Sequence, residues 1–473
     1  MPMERLTAED QLMLWPDRLW PQEIGALAVL DGSRLLNPDG RFRIEAVRHA
    51  TEARLHLVPR FRQRLSIPRR ALGPPLWVDA PAFDLSDHVR VAPVTAPGDE
   101  AALLHAVEDL RRRRLDRSRP LWEMWFLPGL PNQRIGMFVK MHHTIGDGIA
   151  GVATIGVFLD TVPDTPATSA PPWTPAAPPP AHDLFADNAR RHVTRLGRGL
   201  STLARPVTTA RHARAAWPAM RELFTEDGAR GTSLNHLVGP DRILALIRSN
   251  IDQVKEIAHA HDAKVNDVLL AVTAGGLRGL LRSRGEPVED LVVRIYVPVT
   301  LRRGPRGQAR GNQVAQMVVP LPVGVSDPGR RLAQIAAETA RRKARPRPSL
   351  GTLFRSRMAD LALLKVVNRH PVNVTTADVP GPPQPVHLAG ARLLEVFPVL
   401  PLIANVSLGV GALSYAEQLN ILVVADRDAH PDLDVFTMSA EDELRSLAAS
   451  SPRVGVEYGS SLAGPLPGFG RMT

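Results

Sequence analysis

Apolar and polar positions alternate with two periods along this chain. A period of two predicts strands at Glu23–Gly32, Arg134–His143, Leu291–Val299, Gln313–Val323 and Gln418–Asp428. Spacings of three and four residues predict helices at Asp99–Leu115 and, broken around Ala263–Asn266, at Asn250–Gly285. Because strands and helices interleave in both halves, the pattern predicts a mixed α/β fold.

A proline-rich stretch divides the chain. Val162–Ala181 contains eight prolines, which remove backbone donors and favour extended chain. A chain of 473 residues also exceeds what one hydrophobic core normally serves. We therefore predict an N-terminal domain at 1–161, a linker with a helical segment at 162–230, and a C-terminal domain at 231–473.

The segment Leu184–Phe224 is basic and amphipathic. Apolar residues recur at three- and four-residue spacing with arginines between them, which predicts a helix that ends near Pro206. Two interpretations stay open. The helix packs on the second domain with a solvated arginine face, or it lies on an anionic membrane surface.

The longest uncharged run, Val396–Ala416, is long enough to span a bilayer, but its prolines, glycines and polar residues favour buried strands joined by turns. The first residues are acidic before any apolar run, and cysteine is absent. Neither a signal peptide nor a disulfide framework is indicated, so we expect a cytoplasmic protein.

The formal net charge of +10 favours an anionic partner, although arginine enrichment can also reflect base composition. We expect no nucleic-acid binding, because the run Arg111–Arg114 ends a helix beside leucine and has no interleaved aromatic residues.

Adjacent histidines end the strand at Arg134–His143. Alternation places His143 on the apolar side with Met141, and His142 on the side of Lys140. A ring that emerges from an apolar wall stays neutral and can act as a base. Asp147 and Gly148 then form a turn before a helix.

Most adjacent histidine pairs are surface or core residues, so other chemistry has to be considered. A zinc site needs a third ligand, and no metal-ligand spacing is apparent. The sequence also has no G-x-S-x-G, G-x-G-x-x-G or P-loop motif.

The motif "HHTIGDG" resembles HHxxxDG of the CoA-dependent acyltransferases. Its surroundings resemble the bacterial wax ester synthase/diacylglycerol acyltransferase family. The ordered matches are "VPRFRQRL" (58–65), "PPLWVD" (74–79), "LDRSRPLWEMW" (115–125), "KVNDVLLA" (264–271), "VPVTLR" (297–302) and "DVPGPPQPV" (378–386).

The resemblance implies a two-domain fold in which each half is a mixed sheet flanked by helices, with an active-site tunnel at the interface. It implies transfer of a long-chain acyl group from acyl-CoA to diacylglycerol or a long-chain alcohol, with no cofactor or metal. His143 would be the general base. His142 would support the site, Asp147 would hold the loop and Gly148 would permit its turn. Peripheral contact with an anionic membrane or a lipid droplet is expected.

The resemblance also implies a polar network near the site, formed by Asn266 and Arg302 with Asp17 as the acidic partner. Asp267 is expected to cap or brace its helix.

Thr144–Gly146, Thr300 and Asp378 depart from the residues usual in the family. Two alternatives therefore stay open, namely a transferase that acylates a secondary-metabolite hydroxyl or amine, and a non-catalytic lipid-surface protein.

Overall fold

The computed structural model describes residues 3–14, 16–69, 72–165, 169–203, 211, 214, 231–300, 314–344 and 372–450. The N-terminal half contains α1 (Ala8–Leu14), β1 (Glu23–Asp31), α2 (Ile44–Glu52), β2 (Gln63–Ser66), β3 (Leu76–Asp79), β4 (Val89–Val91), α3 (Glu100–Arg112), β5 (Trp122–Pro128), β6 (Arg134–His142) and α4 (Gly148–Gly156). After it come α5 (Ala181–Leu203), β7 (Arg242–Asn250), α6 (Ile251–Ala260), α7 (Val265–Ser283), β8 (Val293–Thr300), β9 (Val314–Leu321), α8 (Pro328–Lys343), β10 (Val374–Pro380), β11 (His387–Leu388), β12 (Ala391–Val399), β13 (Leu408–Tyr415), β14 (Gln418–Asp426) and α9 (Leu433–Ser450).

Two six-stranded mixed sheets organise these elements. The first has the order β11-β12-β1-β6-β5-β4, and the second has the order β7-β14-β13-β10-β8-β9. Strands β2 and β3 form a separate antiparallel pair. The predicted α/β class with a mixed sheet in each half is confirmed, and the predicted strands and helices lie where the alternation placed them.

One connection crosses between the sheets. Strands β11 and β12 follow β10 of the second sheet, yet β12 pairs with β1 in the first sheet, where Val399 is opposite Gly25. The chain then returns to the second sheet as β13. Residues 387–399 therefore complete the sheet of the N-terminal half, although they fall within the predicted C-terminal domain in sequence.

The two faces of the first sheet have different neighbours. One face buries Met137, Val139 and Met141 in a cluster made mostly of residues of the N-terminal half. The other face buries Phe138 in a cluster that also contains Leu244 and Leu422 from β7 and β14 of the second sheet. The second sheet therefore packs on one face of the first, and the two halves share a core.

Helix α7 is the centre of the C-terminal half. All its residues from Asp267 to Leu277 are buried, because it packs against α8, α9 and the second sheet. A helix that is enclosed on all sides needs apolar or small residues on every face, which explains its Val, Leu, Ala and Gly composition.

Helix α5 covers the predicted basic segment as far as Leu203. Its beginning packs on the N-terminal half, where Leu184 contacts the cluster of Leu76 and Val78, and Arg5 pairs with Asp187 at 3.0 Å. Of the two interpretations left open, packing on the second domain therefore does not hold for this end of the helix. Further along, Val193 and Leu196 are 70% and 68% exposed.

Within the described ranges, no helix is long and apolar enough to cross a membrane. The uncharged run Val396–Ala416 instead contributes the end of β12 and all of β13, as predicted.

Candidate active site

The histidine pair lies at the end of β6, with its two rings on opposite faces of the first sheet. On the face of His142, the Lys140 ammonium lies 3.6 Å from both Glu23 and Glu123. Met141 and Val139 mark the apolar face of His143. The strand alternation predicted this arrangement because side chains on a strand alternate between its faces.

His142 is buried and held from both sides of its ring. Its Nδ1 accepts the backbone N–H of Thr144 at 3.1 Å and contacts Thr144 Oγ1 at 2.8 Å. A backbone N–H can only donate, so Nδ1 carries no proton and the neutral ring is protonated at Nε2. That nitrogen lies 3.3 Å from Asp17 Oδ1.

Asp17 connects the two histidines. It lies in the short 3₁₀ turn Pro16–Arg18, and its Oδ1 accepts the Gln22 N–H at 2.7 Å. The Gln22 carbonyl in turn accepts the His143 N–H at 2.8 Å. Asp17 therefore contacts the ring of His142 directly and holds the backbone of His143 through Gln22.

The Asp17 carboxylate stays ionised. Burial alone would raise its pKa, but the neighbouring His142, the Gln22 N–H and the paired Arg117 guanidinium together bring the pKa well below its usual range. Asp17 is thus a fixed negative charge that faces the Nε2–H of His142.

His143 is partly buried, and burial lowers the pKa of its ring below the ordinary value of 6.5. Desolvation penalises the charged imidazolium. The ring is therefore neutral at neutral pH, which is the protonation state that a general base requires.

The loop after the histidines leads into α4. Asp147 caps this helix, and its Oδ1 accepts the Ala150 N–H at 2.9 Å. Gly148 is the first helical residue, and its φ lies outside the left-handed range, so the turn does not require glycine and that expectation is wrong. A Cβ at Gly148 would lie 3.1 Å from Val379 Cγ2 of β10. Glycine there permits close contact between the two halves beside the histidines.

No link of the predicted network of Asn266, Arg302 and Asp17 is seen among the described residues. Arg302 lies outside the described residues. Asp17 belongs to the N-terminal half, where its ion pair is with Arg117, because their two loops meet at the end of β6. The Asn266 Nδ2 is buried at the start of α7 without a hydrogen-bond partner among the described residues, and no hydrogen bond joins it to Asp17.

Asp267 braces the start of α7. Its Oδ2 accepts the Lys264 N–H at 2.9 Å, and its Oδ1 accepts the Thr339 hydroxyl of α8 at 2.7 Å. Both oxygens are therefore used in holding helix ends together.

Sequence reasoning missed three residues of this site: Arg117, Gln22 and Thr144. Arg117 lies within the matched stretch 115–125, and Thr144 is one of the departures from the family pattern. Gln22 contributes only backbone atoms, so its side chain carries no signal.

Ser407 and His430 also form a hydrogen bond, but its direction does not suit catalysis. His430 Nδ1 faces the Arg284 guanidinium at 3.2 Å, so its proton lies on Nε2, 2.8 Å from Ser407 Oγ. The Ser407 hydroxyl donates to the Leu234 carbonyl at 2.6 Å. The histidine cannot take the proton from that serine.

Among the described residues, no group of three or more His, Asp or Glu side chains is placed to hold a metal ion.

A two-sheet α/β fold with a neutral histidine at the end of a strand, beside the seam between the halves, is that of an acyltransferase with an HHxxxDG motif. The chain belongs to the wax ester synthase/diacylglycerol acyltransferase family. The model of the family's catalytic domain matches residues 6–269, and the model of its C-terminal domain matches residues 310–448.

Relatives agree in sequence and in structure. A probable diacylglycerol O-acyltransferase of Mycobacterium tuberculosis is 31% identical over 451 residues, which are 92% of this chain and 93% of the relative. The wax ester synthase/diacylglycerol acyltransferase from Marinobacter aquaeolei VT8 is 25% identical, with a TM-score of 0.66 over 94% of this chain and 99% of that chain. The starter condensation domain of rhizomide synthetase shares the fold at 15% identity, with a TM-score of 0.56 and 95% of each chain covered.

Proposed function

We propose that this acyltransferase moves a long-chain fatty acyl group from acyl-CoA to diacylglycerol, to a long-chain alcohol, or to both. The observation that carries the proposal is the position of His143 directly after β6 and beside the seam between the halves, where burial lowers the pKa of its ring. The names of the M. tuberculosis and Marinobacter relatives support the choice of acceptors.

In this mechanism His143 takes the proton from the acceptor hydroxyl as the oxygen attacks the thioester carbonyl. Collapse of the tetrahedral intermediate forms the ester and releases the CoA thiolate, which takes the proton back from His143. The chain has no cysteine, and direct transfer requires no acyl-enzyme. His142 and Asp17 set the position of His143, because Gln22 links Asp17 to its backbone. The tunnel expected between the halves would bring the two substrates to this ring.

We propose that the reaction needs no metal or other cofactor, with acyl-CoA as a co-substrate. The proton transfers above use side chains alone. Full activity after dialysis against EDTA is the expected result, and loss of activity that zinc or magnesium restores would contradict it.

We also propose that the chain works at the cytoplasmic face of an anionic membrane or on a lipid droplet, through α5. Val193 and Leu196 are exposed one turn apart, and Arg190 is exposed beside them. An amphipathic basic helix binds such a surface through apolar burial and charge together. Flotation with phosphatidylglycerol vesicles at low salt tests this. The double variant Val193→Asp/Leu196→Asp should stay unbound, and wild-type protein that ignores these vesicles would contradict the proposal.

The main experiment measures acyl transfer from labelled palmitoyl-CoA to a mixture of diacylglycerol and hexadecanol. His143→Ala is the test variant. His105→Ala is the control, because His105 is a surface histidine whose side chain is 68% exposed. We expect labelled triacylglycerol or wax ester from the wild type and the control, and none from His143→Ala. Undiminished product from folded His143→Ala would refute the mechanism.

A further inference from the structure

A basic cavity lies next to the histidine strand and has no assigned role. It has a volume of about 250 Å³ and is bordered by the loop 113–120 that follows α3, by the turn before β4, and by residues of β4 and β5. Pro120 and Trp122 line it, and the carbonyl of Leu121 between them accepts the His142 N–H at 2.9 Å. The cavity is therefore one residue away from the hydrogen bond that holds the end of β6.

The charges around this cavity are not balanced. Arg119 is neutralised by Asp87 and Asp116. Glu123 accepts the Trp125 indole N–H at 2.8 Å and faces the Lys140 ammonium. The acidic side chains of the lining thus already have partners.

Three guanidinium groups of the lining remain without a carboxylate among the described residues. Arg90 and Arg113 are exposed and form no ion pair there. Arg114 donates to the backbone carbonyls of Asp17 and Arg18 at 3.1 Å, which leaves its charge uncompensated. Three unneutralised guanidinium groups around one cavity favour a ligand with several phosphate groups.

The cavity also offers a flat surface. The Arg90 guanidinium carbon lies 4.4 Å from the centroid of the Trp125 ring. A guanidinium supported on an indole in this way is a platform on which a purine base can stack.

We propose that this cavity binds the 3′-phosphorylated adenosine diphosphate end of the acyl-CoA donor. Three phosphate groups and one purine match three guanidinium groups, of which the one of Arg90 is also the planar platform. The inference rests on the proposed function, because it assigns the donor of that reaction to a place. Arg114 would then connect donor binding to the Asp17 turn that positions the histidines.

The test compares palmitoyl-CoA with palmitoyl-pantetheine, which carries the same thioester but no nucleotide. In Arg90→Ala/Arg113→Ala we expect the KM for palmitoyl-CoA to rise about tenfold or more, since each lost contact is a charge-assisted hydrogen bond. The KM for palmitoyl-pantetheine should follow the wild type. Arg114 is kept, because its loss would also loosen the Asp17 turn. Arg41→Ala/Arg282→Ala removes the same charge from two exposed arginines and should leave both KM values unchanged.

Calorimetric titration with adenosine 3′,5′-bisphosphate gives a reading that does not depend on catalysis. If the bisphosphate binds the wild type but not Arg90→Ala/Arg113→Ala, the site is supported even when no acyl transfer is found. This measurement therefore separates the inference from the proposed function. Equal KM values in all proteins would overturn it. The inference would also be overturned if inorganic phosphate bound as tightly as the nucleotide. It would be overturned too if the double variant lost only its binding to phosphatidylglycerol vesicles, because that result would assign the cavity to a lipid headgroup.

Discussion

Replacing Asp17 with asparagine tests whether one carboxylate holds both histidines. Asp17 accepts the Gln22 N–H, pairs with Arg117 and lies 3.3 Å from His142 Nε2. An asparagine keeps one oxygen for Gln22. The same oxygen faces His142 Nε2, so the NH₂ group replaces the oxygen that pairs with Arg117, and there a donor meets a donor.

The magnitude follows from those contacts. A hydrogen bond to a charged group contributes about 1.5–3 kcal/mol. Losing the contact to Arg117, together with the negative charge opposite His142, therefore costs about 3 kcal/mol, the upper end of that range, in holding the site together. Because 1.36 kcal/mol corresponds to a factor of ten in rate, kcat should fall roughly 100-fold. The KM for palmitoyl-CoA should change little, since the substitution keeps the backbone carbonyls of Asp17 and Arg18 that hold Arg114.

Steady-state acyl transfer with palmitoyl-CoA and diacylglycerol measures the effect, and thermal unfolding shows whether the variant is folded. Asp84→Asn is the matched control, because Asp84 also accepts a backbone N–H in a short turn, from Ser86 at 2.8 Å, but is exposed and away from the histidines. Asp17→Glu should recover part of the activity. A folded Asp17→Asn enzyme whose kcat stays within about threefold of the wild type would refute the reasoning.

Four further predictions concern single residues. Thr144→Val removes the hydroxyl beside His142 Nδ1, and the lost hydrogen bond contributes about 1 kcal/mol, so kcat should fall roughly fivefold. An unchanged kcat would show that this contact does not support catalysis. In Gly148→Ala the new methyl group should push against Val379 and lower kcat, and the additional change Val379→Ala should restore kcat. Wild-type activity of Gly148→Ala would show that the seam accommodates the methyl group. Burial lowers the pKa of His143, and its neutral form is the base, so the acid limb of the kcat/KM profile should be centred below pH 6.5. An acid limb centred at or above pH 6.5 would count against this base. Burial lowers the pKa of His430 to about 4, so the unfolded chain takes up this proton before the folded chain does as pH falls. The free energy of unfolding should therefore drop by roughly 3 kcal/mol between pH 6.5 and 4. Urea titrations measure this pH dependence, which His430→Gln should weaken.

The parts of the fold that sequence could predict are those governed by local periodicity. Alternation placed β6 and its two faces, and the break near Ala263 separated α6 from α7. The pairing of β12 with β1 could not be predicted this way, because both strands are apolar runs that would fit the interior of either sheet.

The candidate site also has a part that the sequence could predict and a part that it could not. His142, His143, Asp147 and Gly148 lie in one continuous motif, so their proximity follows from the sequence. The partners of Asp17 depend on a meeting of the N-terminal turn with the loop that contains Arg117, and the two are separated by 100 positions. The use of Gly148 was misjudged because a glycine that permits a turn and a glycine that permits close packing look identical in sequence.

The crossing of β11 and β12 has a consequence for any attempt to divide this enzyme. Cutting the proline-rich linker would leave both fragments tied together, because β12 lies between β11 and β1 in the first sheet. An N-terminal fragment made alone would carry β1 as a bare edge with nine residues of unmatched backbone. Such an edge favours aggregation. Chimeras with relatives should therefore exchange residues 387–399 together with the N-terminal half, and a two-piece enzyme should be active only when its pieces fold in each other's presence.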